Sequence, residues 1–425
     1  MLSIDRTIGY RGFTSVEHCL SVRAIDVTQQ SHTISPVAVF LAFLKLGLTS
    51  FGGPIAHIGY FRTEFVERRQ WLDEDTFAQL LATSQFLPGP ASSQLGFSIG
   101  LIKAGWLGAL SAFVAFTFPS VLLLLGFVAL LPMLSGDIGQ AVIHGLKLVA
   151  CIIVADAVIG MARSLCPDWS RRLIALAALV ALLLISTAFA QVIVIASAAV
   201  IGALFLSQQN DANKQTAIAL PYSTGLGCVL LILFAKLLII LPFLAMADIN
   251  MTSIADAFYR AGALVFGGGH VVLPLLQDSV VSTGWVSDED FLAGYGASQA
   301  IPGPMFAFSA YLGALIPSDE SSITTAMVAV IFMFLPGFLL MAGILPFWRK
   351  MSANPTAAGV MAAVNAAVVG LLTAALYDPI YTAGVRGSYD LIMVCIGLAV
   401  IQKWRLSPLW MVLYSVVISV VPVLL

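Results

Sequence analysis

The chain has 425 residues, of which 60% are hydrophobic and only 10% charged, with a formal net charge of −2. A water-soluble protein of this size needs far more charge to cover its surface, so the composition excludes a soluble globular enzyme and points to a polytopic membrane protein. The near-neutral balance singles out no charged partner; the lipid bilayer is expected, and a nucleic acid is not.

Residues 1–35 read as an N-terminal cytoplasmic tail, because Arg6, Arg11 and Arg23 stand among polar residues and no apolar stretch there suits a signal peptide. From Val37 onward, apolar runs long enough to span hydrocarbon recur, as at 104–131 and 225–244. Within them Phe51-Gly52-Gly53, followed by Pro88-Gly89-Pro90, returns about 215 residues later as Phe266-Gly267-Gly268, followed by Pro302-Gly303-Pro304. The match extends outward. Residues 40–50 lie opposite 255–265, which sets Lys45 against Arg260. The stretch from Trp71 to Phe77 matches that from Trp285 to Phe291, Ser84-Gln85 matches Ser298-Gln299, and Phe118-Pro119 corresponds to Leu335-Pro336. The expected organisation is a first repeat at 36–206, a linker at 207–251 carrying one transmembrane helix near 224–246, and a second repeat at 252–425.

Basic residues orient the repeats. The 60–75 loop holds Arg62, Arg68 and Arg69, whereas its twin at 278–290 has no Lys or Arg; 132–140 has none, whereas 347–354 has Arg349 and Lys350. Equivalent loops thus face opposite sides by the positive-inside rule. The expected fold is an all-α polytopic membrane protein of two homologous inverted-topology repeats, with broken, re-entrant helices at the Phe-Gly-Gly and Pro-Gly-Pro motifs. Keeping the basic loops inside requires 36–70 and 76–103 each to enter and return, as 256–282 and 290–316 do from the other side. Each leg is then some 10–16 residues, about 15–24 Å, which reaches mid-membrane and little further. Two short spans close each half, at 173–188 with 190–206 and at 390–402 with 407–425. The N-terminus is placed inside and the C-terminus outside. A competing arrangement treats thirteen apolar segments as complete spans and strands three arginines outside.

Several residues are candidates for handling a solute. Breaks at Gly52, Gly53, Gly89, Gly267, Gly268 and Gly303 free the backbone, and helices restarting there aim unsatisfied N–H groups and positive dipole ends at the break, a setting that favours an anion. Lys45 and Arg260 each precede their glycine motif by six residues and can neutralise a doubly charged oxyanion or instead snorkel to the interface. Ser84, Gln85, Ser298 and Gln299 offer hydroxyl and amide groups to its oxygens, or serve helix–helix hydrogen bonding. His57, His270 and Asp156 are candidates for proton coupling. Lys147 and Asp156 lie on opposite faces of one helix and cannot pair within it. The Glu64-to-Arg69 run reads as a solvated helix end that sets topology.

The five cysteines, Cys19, Cys151, Cys166, Cys228 and Cys395, lack C-x-x-C spacing and read as apolar fillers. No His/Cys/Asp/Glu cluster has metal-ligand spacing, and there is no Walker A, H-E-x-x-H or G-x-S-x-G motif, so neither a metal, a cofactor nor catalysis is expected.

Phe43 to Pro54, Gln85-x-x-Pro88-Gly89-Pro90 and Phe266-Gly267-Gly268-Gly269 together resemble the chromate ion transporter family in its long two-domain form, over nearly everything from about 36 to 425. The resemblance implies efflux of chromate from the cytoplasm across the bacterial inner membrane, with chromate resistance, and suggests a link to sulfate, a similar tetrahedral dianion. One departure is Gly269-His270 where the first half has Pro54-Ile55, so the two tips are not chemically equivalent. The expected activity is secondary active export of chromate driven by the proton motive force. Alternatives are a passive channel, or a transporter or channel for sulfate or another anion. A homo-oligomer is allowed by the sequence but not required.

Overall fold

The computed structural model describes residues 34–185, 190–206, 218, 220–245, 249–266 and 269–424. The expected tail up to residue 33, part of the linker, and Gly267 and Gly268 lie outside these described residues.

Helix α1 (Pro36–Thr49) starts on Ser35, whose hydroxyl accepts the Ala38 N–H, with proline at the first position where no donor is needed. It stops at Gly52 and Gly53, whose φ values of 102° and 76° are open to glycine and strained for other residues. The chain then turns into α2 (Gly53–Arg62), continued by a π-helical turn at Thr63–Arg68. Contacts nest about this turn: His57 meets Ser50, Phe61 and Phe65 meet Phe43, and Glu64 meets Lys45. This is a hairpin, not a kinked rod.

A second hairpin follows. Helix α3 (Glu74–Phe86) is capped by Asp73 and ends before Pro88-Gly89-Pro90, and α4 (Ala91–Leu130) returns, so that Lys103 comes back within electrostatic reach of Asp73. Ala104 and Gly105 leave helical geometry inside α4, the glycine at φ 66°, which divides the returning leg from the long segment behind it.

The first half closes with α5 (Asp137–Leu165), α6 (Trp169–Leu184) and α7 (Ala190–Phe205), and α8 (Thr224–Leu244) bridges to the second. The second half retraces the same order. Helix α9 (Met251–Leu264) leads to the second glycine break, then α10 (Val272–Leu276) and a π-helical turn at Gln277–Val281. Helix α11 (Asp288–Gln299) leads to Pro302-Gly303-Pro304 and α12 (Phe308–Leu315). Here too contacts nest, with Tyr311 donating to the Asp290 carbonyl and Phe308 packing on Tyr295 and Phe291. Then come α13 (Ser322–Ile344), α14 (Trp348–Ser352), α15 (Pro355–Ala375), α16 (Thr382–Gly384), α17 (Ser388–Trp404) and α18 (Pro408–Leu424).

Among the described residues no strand occurs, and five helices there are long and apolar enough to cross a bilayer. The π-helical turn after the first break recurs in both halves, as does a close backbone crossing: Gly47 lies against the Ala115 and Phe116 carbonyls, and its counterpart Gly262 lies against the Met333 carbonyl. A methyl group at Gly262 would sit 2.2 Å from that oxygen, so only glycine lets α9 approach α13. The halves interlock as well. The first half's α5 packs on the second half's α17 and α18, and the second half's α15 packs on the first half's α6 and α7.

Candidate functional site

The four breaks meet. The amide of Gly89 donates to the Val265 carbonyl at 2.7 Å, and the amide of Gly303 donates to the Ser50 carbonyl at 2.9 Å. Val265 and Ser50 each precede their own Phe-Gly-Gly motif, so the two bonds are counterparts, each joining the Pro-Gly-Pro break of one half to the glycine break of the other. Where a methyl on Gly269 would stand, Pro54 lies 3.0 Å away, and these two residues occupy matching positions in the halves. Positive φ at Gly89 (122°) and Gly303 (96°) turns the amides into these contacts.

A second pair of clasps holds the proline carbonyls. Ser120 Oγ donates to the Pro302 carbonyl at 2.7 Å, reaching from one half into the other. Gln94 Nε2 donates to its own Pro88 carbonyl at 2.8 Å and to the Gly337 carbonyl of the other half at 3.0 Å. Gly337 is the counterpart of Ser120, one residue past a helix-interior proline in each half. The same task is done by different side chains.

His57 is wholly buried beside this crossing. Its Nε2 lies 3.2 Å from the Ser50 carbonyl, which only accepts, so that nitrogen carries the proton; Nδ1, at 3.4 Å from Ser92 Oγ, is then the acceptor. The Phe116 ring stands edge-on to it at 5.3 Å. Around the crossing, several buried polar atoms have no hydrogen-bond partner: the hydroxyls of Ser50, Ser93 and Thr117, Oε1 of Gln94 and Nε2 of Gln299. Unpaired buried donors are costly, which makes the three hydroxyls and the Gln299 amide, but not the accepting Gln94 Oε1, the natural contacts for an oxygen-rich solute.

The residues singled out from sequence divide accordingly. Gly52 and Gly53 sit at the crossing and open α2, whose first turn has no side-chain cap. The Gly89 and Gly303 amides are there too, but they are spent on fastening the halves, not left free as solute donors. Ser84 and Ser298 donate to carbonyls three residues back in their own helices, Leu81 and Tyr295, so neither hydroxyl proton is free. Gln299 is buried with a free amide, while Gln85 is exposed.

Lys45 and Arg260 lie away from the crossing. Lys45 occupies the outward stripe of α1 with the exposed Val37, Leu41 and Leu48, and pairs with Glu64 at 3.6 Å. Arg260 pairs with Asp256 at 2.7 Å and acts electrostatically on Asp278. Both cations therefore have carboxylate partners on their own hairpins. The Glu64-to-Arg69 run is more than a solvated end, because Glu64 is buried and takes Lys45, Arg68 and Arg69 together. His270 Nδ1 lies 2.7 Å from the Tyr295 hydroxyl, and Asp156 accepts from Gln402 of α17 at 2.5 Å. Lys147, buried on α5, reaches Glu289 at the start of α11. No metal-ligating cluster occurs among the described residues.

Sequence reasoning passed over Ser50, Ser92, Gln94, Thr117 and Ser120. Thr117 and Ser120 carried a signal, as hydroxyls flanking Pro119 inside an apolar run. Gln94 has a phenylalanine, Phe308, in its matching place, so comparison of the halves discards it.

Broken hairpins whose tips cross between two repeats, in a multi-pass helical membrane protein, define the architecture of a solute transporter. The sequence profile named Chromate transporter matches residues 37–203 and again 252–420, and the chain belongs to that family. It is 30% identical over 372 residues to a probable chromate transport protein of Synechococcus elongatus, covering 86% of this chain and 89% of that one. It is 26% identical over 396 residues to a chromate transport protein of Pseudomonas aeruginosa, covering 90% and 91%. An uncharacterized transporter of Methanocaldococcus jannaschii is 27% identical over 360 residues, covering 82% and 85%. No solved structure matches the chain.

Proposed function

We propose that the protein is a secondary active transporter that exports chromate from the cytoplasm across the inner membrane using the proton motive force, and so confers chromate resistance. The observation that carries this reading is the reciprocal pair of bonds from Gly89 to Val265 and from Gly303 to Ser50. Two inverted halves joined tip to tip at mid-membrane can rock about one site and expose it alternately to each side.

In this reading the tetrahedral dianion sits against the uncapped first turn of α2 at Gly52 and Gly53, with the free hydroxyls of Ser50 and Thr117 and the Gln299 amide donating to its oxygens. In the sequence, Gly267 and Gly268 are the counterparts of Gly52 and Gly53. Lys45 and Arg260, held by carboxylates, set the potential of the two approaches and do not touch the ion. His57 is the coupling residue: its ring bridges Ser92 and the Ser50 carbonyl, and that carbonyl also receives the other half's Gly303 amide. Protonation of Nδ1 would turn it into a donor to Ser92 Oγ and strengthen the Nε2–H bond to the Ser50 carbonyl, in competition with the Gly303 amide that shares that oxygen. The N-terminus lies inside and the C-terminus outside, and no catalytic step is involved.

The test is uptake of labelled chromate into proteoliposomes under imposed pH and voltage gradients. The expected result is accumulation that a protonophore abolishes and that Gln299→Leu reduces. Flux that ignores a collapsed proton gradient would mark a channel, and accumulation of sulfate in preference to chromate would assign another substrate.

A further inference from the structure

An open groove lies away from the crossing, between α1 and the α2 leg. It has a volume of about 680 Å³ and is lined by Lys45, Thr49, Tyr60, Thr63, Glu64 and Arg68, with an apolar floor that includes Leu46, Ala56 and Gly59. We infer that this groove binds the phosphate headgroup of an anionic phospholipid of the bilayer leaflet into which the hairpin opens. The inference goes beyond the transport reading; it shares only the placement of the break near the bilayer centre.

Charge supports it first. Lys45 and Arg68 line the groove against the single carboxylate of Glu64, leaving an excess of one positive charge; Arg69 also pairs with Glu64 from outside the lining, and Glu67 and Glu74 are engaged by Arg62 and do not line the groove. Two hydroxyls, on Tyr60 and Thr63, stand beside the cations and can donate to phosphate oxygens, whereas that of Thr49 is spent on the Lys45 carbonyl at 2.8 Å. Depth supports it next. At 1.5 Å per residue, Glu64 lies about 16 Å and Arg68 about 22 Å along the leg from Gly53, at the edge of a hydrocarbon core about 15 Å deep per leaflet and within the headgroup layer. Lys45, nearer the centre, reaches down toward Glu64, as a snorkelling lysine does. Trp71, stacked on Phe65 and covered by Arg69, sits at the same level.

Surroundings favour a lipid over a free ion. The groove opens sideways onto the exposed apolar stripe of Val37, Leu41 and Leu48, where acyl chains would lie. The matching hairpin of the second half reverses the sign: Arg260 faces two carboxylates, Asp256 and Asp278, so an anionic lipid is selected on one side of the molecule only.

The experiment is native mass spectrometry and thermal melting of the purified full-length protein with added phosphatidylglycerol, phosphatidylcholine, or inorganic sulfate. Gly59 has no heavy atom within 4 Å of where a Cβ would stand, so Gly59→Phe fills the groove without touching the protein's charge, and Arg68→Gln removes a cation at the rim. The expected result is retention and stabilisation by phosphatidylglycerol over phosphatidylcholine, weakened about five-fold by Arg68→Gln, as for one surface cation, and lost in Gly59→Phe. Equal retention in all variants, or no preference between the lipids, overturns the inference. Displacement by millimolar sulfate assigns the groove to a free oxyanion instead. Loss of a dimer in Gly59→Phe with lipid retention unchanged assigns it to a second copy of the chain. Failure of chromate transport by the wild type would sink the functional proposal while leaving these lipid measurements standing.

Discussion

Gly303→Ala offers the sharpest probe of the crossing. The backbone at 303 holds φ at 96°, where an L side chain is strained by about 1–3 kcal/mol. The added methyl would stand 2.2 Å from Ser120 Oγ, 3.2 Å from the Phe116 carbonyl and 3.4 Å from that of Gly47. The serine can swing away, but its bond to the Pro302 carbonyl is then lost, and leaving that buried oxygen unpaired costs about 1–3 kcal/mol more. The total is roughly 2–6 kcal/mol, placed on a contact that joins the two halves. The assay pairs denaturation of the purified protein with chromate flux in proteoliposomes; both should fall sharply. Adding Ser120→Gly removes the collision but not the backbone strain, so the double variant should cost less than the sum of the two single changes. A Gly303→Ala protein as stable and as active as the wild type would refute the reasoning.

Other outcomes follow from the same geometry. Gln299→Leu should lower transport efficiency by about ten- to a hundred-fold if its free amide meets a charged solute, whereas Gln85→Leu should leave flux within about two-fold, as read from initial rates. Glu289→Gln leaves buried Lys147 without its counter-charge and should destabilise by about 1–3 kcal/mol, less than a fully buried pair because Glu289 is itself exposed; Lys147→Met in the same chain should recover much of the loss in melting experiments. Asp73 caps α3, and the Thr76 backbone N–H bond holds its carboxyl below the ordinary value of 3.8. Its stabilisation is therefore present above that value and fades as pH falls through the lowered one. Asp73→Ala should cost about 1 kcal/mol near neutrality, with the gap to wild type closing below about pH 4.

Much of the fold was legible because its punctuation is covalent. Glycine and proline restrict the backbone wherever they occur, so a pattern of breaks seen twice predicts two halves and four hairpin tips without any packing knowledge. Matching also singled out the carboxamide pair at Gln85 and Gln299, yet nothing in their spacing says that one is buried and the other exposed. The direction in which Lys45 points was equally hidden, because α1 is apolar on both faces and its periodicity does not distinguish core from lipid. The bonds of Gly89 and Gly303 join residues far apart in the chain, and only the assembled halves bring them together. Gln94 and Ser120 escaped for a different reason. They perform one job on opposite sides of a pseudo-symmetric structure with unlike residues, and a search for likeness removes them.

The exchange of helices between halves has a consequence for assembly. Helices α5 and α15 each pack against a pair contributed by the opposite repeat, and Gly202 of α7 meets Gly359 of α15 with each would-be methyl about 2.5 Å from the other's carbonyl oxygen. Either repeat synthesised by itself would display a bare trough and an unclaimed rod, and two such orphans inserted in opposing senses would complete one another. Biogenesis of the intact chain must therefore hold the earlier repeat open until its later twin has been threaded into the lipid.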